Sequence, residues 1–156
     1  MNALRKTALV VDDEDAVQEV VSRQLQTFGY DCSKASSGKA AQDLLPLQHY
    51  DLVMVDVRMK GMSGLDLLKK SRAKYPDVCF VMLSALNDVA TVAEAVKFGA
   101  DDYIVKPCAM DYLQSRLEIA LERRQQAGPG QIIRKVDTQA IADDLAEQRA
   151  ALFKNA

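Results

Sequence analysis

Apolar residues in this chain fall into two alternating patterns. Short runs with no polar alternate face occur at Ala8–Val11, Leu52–Val55, Cys79–Leu83 and Tyr103–Val105. Their β-branched character and unbroken apolarity predict strands covered on both faces. Tyr30–Ala35 is weaker and more polar, and it reads as an edge or near-edge strand. Between the runs, apolar positions recur at helical spacing. Val17, Val20, Val21, Leu25 and Phe28 predict a first helix, stopped by Gly29 in a left-handed cap. A short helix is expected over Ser37–Leu45, with Pro46 beyond it. A third spans Leu65–Tyr75 and ends at Pro76; a fourth spans Val89–Phe98 and ends at Gly99. Met110, Leu113, Leu117 and Leu121 mark a fifth.

Five strands, each followed by a helix, imply right-handed crossovers and a parallel sheet with helices on both faces. The 156 residues are too few for an eight-stranded barrel, which takes about 250. The expected fold is therefore α/β: a doubly wound, five-stranded parallel sheet of order 2-1-3-4-5, flavodoxin-like. In that order the carboxyl ends of the first, third, fourth and fifth strands meet on one rim, where such folds bind ligands. Ala127-Gly128-Pro129-Gly130 breaks the pattern. Residues 1–126 are expected to form one domain. Residues 127–156 are expected to form a linker and a C-terminal amphipathic helix on Ile141, Leu145 and Leu152, capped by Asp137. That extension reads as a dimer contact, a docking helix or the start of an output linker.

Composition removes several function classes. A net charge of -2 offers no basic field for direct nucleic-acid binding. No apolar stretch approaches the ~20 residues that span a bilayer. The first residues do not read as a signal peptide. The three cysteines, Cys32, Cys79 and Cys108, are scattered and suit neither a zinc site nor a disulfide framework. A cytoplasmic location is the expectation.

The rim carries the chemistry. The first strand delivers Asp12, Asp13, Glu14 and Asp15; the third delivers Asp56; the fourth, Ser84 and Ala85; the fifth, Lys106 and Pro107. Carboxylates crowded in this way repel one another unless a cation neutralises them. Oxygen-only donors suit a hard ion such as Mg²⁺. Lys106 supplies a point charge and Ser84 a hydroxyl donor, which together suit a phosphoryl group. Asp56, on a central strand, is the best-placed nucleophile for a covalent aspartyl-phosphate. The single histidine, His49, is expected at the opposite end of the sheet.

These residues resemble the receiver domain of bacterial two-component response regulators. The likeness runs from Val10-Val11-Asp12-Asp13-Glu14, through Val55-Asp56-Val57-Arg58-Met59 with Gly61 and Gly64, to Ser84-Ala85 and Gly99-Ala100-Asp101-Asp102-Tyr103-Ile104-Val105-Lys106-Pro107. It covers about residues 5–125. The resemblance implies Asp56 as phosphoacceptor. It implies Asp13, Asp56 and the main-chain carbonyl of Arg58 as Mg²⁺ ligands, with Asp12 binding directly or through water. Ser84 and Lys106 would contact the phosphoryl group, Ser84 and Tyr103 would act as switch residues, and Lys106-Pro107 would be a cis peptide. It further implies a non-turnover signalling protein that takes its phosphoryl from a histidine kinase or histidine phosphotransfer protein. Such a protein acts on a downstream protein or output domain. A homodimer through the fourth helix, fifth strand and fifth helix, or through the C-terminal helix, is one assembly left open. Two positions depart from the family pattern: Lys60 stands where proline is frequent, and Cys108 where phenylalanine is frequent. Arg58, two residues past the acceptor, is expected to reach over the site and alter phosphoryl lifetime.

Each feature alone has a plainer reading. Asp12–Asp15 reads also as a solvated helix cap, Ser84 as a turn cap, Tyr103 as a half-buried strand tyrosine and Lys106 as a surface lysine. Rival functions are a metal-dependent phosphohydrolase, a nucleotide or flavin binder, and an interaction module that is never phosphorylated. Short βα loops leave little to enclose a substrate. The acidic loop after the first strand would repel an unmetallated phosphate.

Overall fold

The computed structural model describes residues 5–85 and 88–127. Their order is β1 (Lys6–Val11), α1 (Asp15–Thr27), β2 (Tyr30–Ala35), α2 (Gly38–Leu44), β3 (Leu52–Val55), α3 (Gly64–Ser71), β4 (Cys79–Ser84), α4 (Val89–Lys97), β5 (Asp102–Val105) and α5 (Met110–Ala127). All strands pair in parallel, in the order β2-β1-β3-β4-β5. This is the doubly wound arrangement expected from the sequence. The proposed helix on Ile141, Leu145 and Leu152 lies outside the described residues.

The unbroken apolar runs follow from the two-layer core. Leu9, Val11, Val53, Val55, Phe80, Met82 and Tyr103 point to one face, where Ala41, Leu67, Leu68, Val92 and Ala95 of α2, α3 and α4 cover them. Alternate residues Ala8, Val10, Leu52, Met54, Val81 and Ile104 point to the other, under Val21 and Leu25 of α1 and Leu113 and Leu117 of α5. With both faces dry, no position in β3 or β4 can be polar except at the strand end. β2 is an edge strand, and its middle residues are partly or fully exposed.

Three element boundaries shift from expectation. Ser37 is the N-cap of α2, its hydroxyl accepting from Ala40 N at 3.0 Å. Pro46 lies inside a 3-10 turn, Leu45–Leu47, that continues from α2. α3 stops at Ser71 rather than Tyr75. Pro76 has no N–H to extend a helix, and the Arg72 guanidinium donates to the carbonyls of Tyr75, Pro76 and Val78 at 2.8, 2.9 and 2.6 Å.

The inward face of α1 keeps Val17, Val21, Leu25 and Phe28 of the predicted stripe but loses Val20 and adds two polar residues. Gln18, Val21, Ser22 and Leu25 face inward, while Val20 is 57% exposed. At the amino end of the sheet, the fully buried Asp101 carboxylate accepts from Arg72 at 3.2 Å and from Arg124 Nε at 2.9 Å. This ion cluster ties the end of α5 to the start of β5.

Candidate functional site

Backbone hydrogen bonds extend past the strand ends and fix the rim. Asp12 N donates to Ala35 O at 3.1 Å, Asp56 N to Val11 O at 3.0 Å and Lys106 N to Ser84 O at 2.9 Å. Each residue thus continues the ladder with its neighbour before the chain turns away. Asp12 and Asp56 consequently leave the adjacent strands β1 and β3 at one level, and Lys106 reaches them from the end of β5, beyond β4.

The three acids converge. One carboxylate oxygen from each of Asp12, Asp13 and Asp56 lies within 4.8 Å of the others. Asp12 and Asp56 are only 3% and 6% exposed, so their charges demand compensation. Lys106 Nζ supplies part of it, bridging Asp12 Oδ2 at 3.0 Å and Asp56 Oδ2 at 3.4 Å. Main-chain N–H groups supply more. Glu14 N donates to Asp12 Oδ1 at 2.9 Å, Arg58 N to Asp56 Oδ1 at 3.3 Å and Lys60 N to Asp13 Oδ2 at 3.1 Å.

The charges shift each other's titration. Burial pushes the Asp56 carboxyl above its usual range; Lys106 opposes that, and Asp12 adds to it. Burial draws the Lys106 ammonium down, but the Asp12 and Asp56 carboxylates outweigh this and leave it raised. A single lysine shared by two buried carboxylates leaves net negative charge in the pocket. A cluster of oxygen donors with that surplus fits a hard divalent cation.

Gly64 lets the following loop close over the site. A Cβ there would stand 2.1 Å from the Asp56 carbonyl oxygen, and Gly64 N donates to Val57 O at 2.9 Å. The loop and Asp56 are therefore packed backbone to backbone.

Ser84 ends β4 and is buried. Its side chain hydrogen-bonds Tyr103, which is fully buried on β5. Burial raises the Tyr103 phenol to about 12, with Ser84 pulling it down. Arg58 is exposed; Asp88, the N-cap of α4, has its carboxyl held below the usual range chiefly by hydrogen bonds from Thr91, with a small addition from the Arg58 charge. The Lys106-Pro107 peptide is cis. Cys108 packs against the α1–α5 face of the core, and burial raises its thiol. His49 precedes β3 at the far end of the sheet and pairs with Asp51 at 3.2 Å.

Two contributors have roles that the sequence did not assign. Gly64 was legible only as part of a motif, since its close approach to Asp56 depends on the loop's path. Gln18, buried beneath the Asp12 loop, had a signal: a polar residue at an inward helical position.

A cleft of about 500 Å³ opens beside the rim, between Val17 and Val20 of α1 and the segment Lys106–Cys108. No helix among the described residues is long and apolar enough to cross a membrane.

Comparisons with known proteins agree with this geometry. Residues 8–118 match the family described as the response regulator receiver domain. A probable transcriptional regulator, ycf27, of Cyanophora paradoxa is 35% identical over 125 residues, covering 80% of this chain and 52% of that protein. The transcriptional regulatory protein ZraR of Escherichia coli K12 is 40% identical over 113 residues, 72% of this chain and 26% of its own length. The chain thus spans about half or about a quarter of these curated relatives. Among solved structures, Vibrio cholerae chemotaxis protein CheY4 superposes with a TM-score of 0.72 at 27% identity, covering 75% of this chain and 99% of that one. Response regulator TrrA of Thermotoga maritima, solved with Mg(2+)-BeF, gives 0.68 at 32% identity, covering 74% and 98%. With the sheet order, the acidic rim and the family match in agreement, the chain belongs to the receiver domains of two-component response regulators.

Proposed function

We propose that this chain is a phosphorylatable switch in which Asp56 accepts a phosphoryl group. One observation carries the reading: a buried carboxylate at a central strand end, with two further carboxylates within 4.8 Å and a lysine bridging two of the three.

Asp12, Asp13 and Asp56, with the main-chain carbonyl of Arg58, are the groups that would hold Mg²⁺. That ion would screen the acids and polarise phosphoryl oxygens. The occurrence of Mg(2+)-BeF with the relative TrrA supports this assignment. The Asp56 carboxylate attacks the donor's phosphorus through one oxygen, and the donor group departs with the bonding electrons. Arg58 N holds the other Asp56 oxygen and thereby orients the attack. Lys106 moves from pairing with Asp56 to pairing with the new phosphoryl oxygens. The Ser84 hydroxyl donates to another, and its bond to Tyr103 carries the change into β5 and the neighbouring face of α4 and α5.

The donor is a histidine kinase or a histidine phosphotransfer protein, which approaches along the cleft beside Lys106. The output passes to a downstream protein or output domain through that switched face. The chain performs its own phosphoryl transfer without being a turnover enzyme.

The assignment is tested by adding beryllofluoride and Mg²⁺ to isotope-labelled protein. Amide shifts are expected at Asp13, Asp56, Ser84, Tyr103 and Lys106 in the wild type and not in Asp56→Asn. Shifts confined to the far end of the sheet would contradict it.

A further inference from the structure

The inward face of α1 includes an amide. Gln18 is 5% exposed and shares the buried stripe with Val21, Ser22 and Leu25. A buried amide needs hydrogen-bond partners. Gln18 Nε2 meets three oxygens: Asp12 O at 2.5 Å, Ala35 O at 3.0 Å and Ser36 Oγ at 3.2 Å. Two of these are main-chain carbonyls, which only accept. The amide has two protons, one for each.

This contact has a specific geometric consequence. The Asp12 carbonyl belongs to the rigid peptide plane that joins Asp12 to Asp13. Two of the cluster's three acids flank that plane. Ala35 O, the second acceptor, also receives Asp12 N at 3.1 Å. The Gln18 amide therefore closes a ring through the ends of β1 and β2 and the first turns of α1. Without it, Glu14 N, Lys60 N and Lys106 would still grip the carboxylate tips. The plane carrying both side chains would lose the donor that fixes its tilt.

We infer that Gln18 is a positioning residue for the metal site: its amide holds the Asp12–Asp13 peptide plane so that the carboxylates keep the spacing a divalent cation requires. This rests on reading Asp12, Asp13 and Asp56 as Mg²⁺ ligands. Gln18 itself touches neither ion nor phosphoryl. Partners that orient ligating groups typically govern affinity about 10–100-fold.

The test is calorimetric titration of Mg²⁺ into the full unphosphorylated chain. Gln18→Met removes both donors at similar volume. Gln18→Asn keeps an amide that is one methylene too short, and it serves if the Met variant fails to fold. Leu121→Ala, a buried apolar change on α5 away from the rim, controls for lost stability as measured by urea unfolding. Both Gln18 variants are expected to bind Mg²⁺ about tenfold more weakly or worse, while Leu121→Ala keeps the wild-type affinity. Wild-type affinity in a folded Gln18 variant would overturn the inference, as would an equal loss in Leu121→Ala. A wild type that binds no Mg²⁺ would sink the metal reading and this inference together. Mg²⁺ binding without any phosphoryl adduct would sink only the transfer reading, and the comparison would still decide the role of Gln18.

Discussion

Asp56 sits where burial raises its carboxyl pKa above the ordinary 3.8, despite the opposing charge of Lys106. The folded state therefore holds this proton more tightly than the unfolded chain. Stability from this group is fully present below the ordinary value and is lost as pH rises through the folded value. Asp56→Asn is accordingly expected to raise Tm at neutral pH in the presence of a chelator, with the gain fading as pH falls through the raised folded value and gone at the ordinary one. Melting curves across pH check this, and a lower Tm for Asp56→Asn at neutral pH would contradict it. On the proposed reading Mg²⁺ would bind the folded site and not the unfolded chain, so adding it should stabilise the wild type more than Asp56→Asn. Gly64→Ala forces a Cβ against the Asp56 carbonyl; we expect a loss of about 1–3 kcal/mol in urea unfolding, with slower phosphorylation. At this scale the sequence was most legible where chemistry is written in residue type. The acids, Ser84 and Lys106 stood out because such groups seldom gather at strand ends without purpose. Gln18 did not, because a glutamine in an amphipathic helix is usually solvated, and only its inward position shows otherwise.

At the scale of elements, the apolar runs located the strands well because a doubly covered strand leaves no room for polar residues. Helix faces were harder to read. Val20 pulled the predicted stripe of α1 toward solvent, whereas Val17 packs against the core and the buried stripe includes two polar residues, Gln18 and Ser22. The early end of α3 was illegible for a different reason. It depends on Arg72 turning back onto three carbonyls, a choice that propensity does not encode. The start of α3 is written locally: Ser63 accepts from Asp66 N at 3.1 Å. Ser63→Ala should cost about 1 kcal/mol by urea unfolding. Since α3 begins at Gly64, this variant should also disturb the loop that closes over Asp56. An unchanged unfolding midpoint would mean the cap is idle.

Across the whole molecule, strand order and layer assignment followed from alternation of strands and helices and from chain length. The ion cluster at the amino end of the sheet did not. Arg72, Asp101 and Arg124 lie far apart in sequence, and only the fold brings both guanidinium groups to one carboxylate. Asp101→Leu leaves these buried cations without their shared anion and should cost roughly 3–5 kcal/mol; an unfolding free energy near that of the wild type would show that the remaining carbonyl acceptors suffice. That cluster holds the end of α5, whereas the rim holds the opposite end of the sheet, so Asp101 variants that remain folded should still take up phosphoryl. The central claim concerns the rim and is tested by the intact mass of the full chain after incubation with Mg²⁺ and acetyl phosphate. A single labile phosphoryl adduct, present in the wild type and absent in Asp56→Asn, is the predicted result. No adduct in the wild type with several phosphodonors and a kinase, or an adduct that persists in Asp56→Asn, would contradict it.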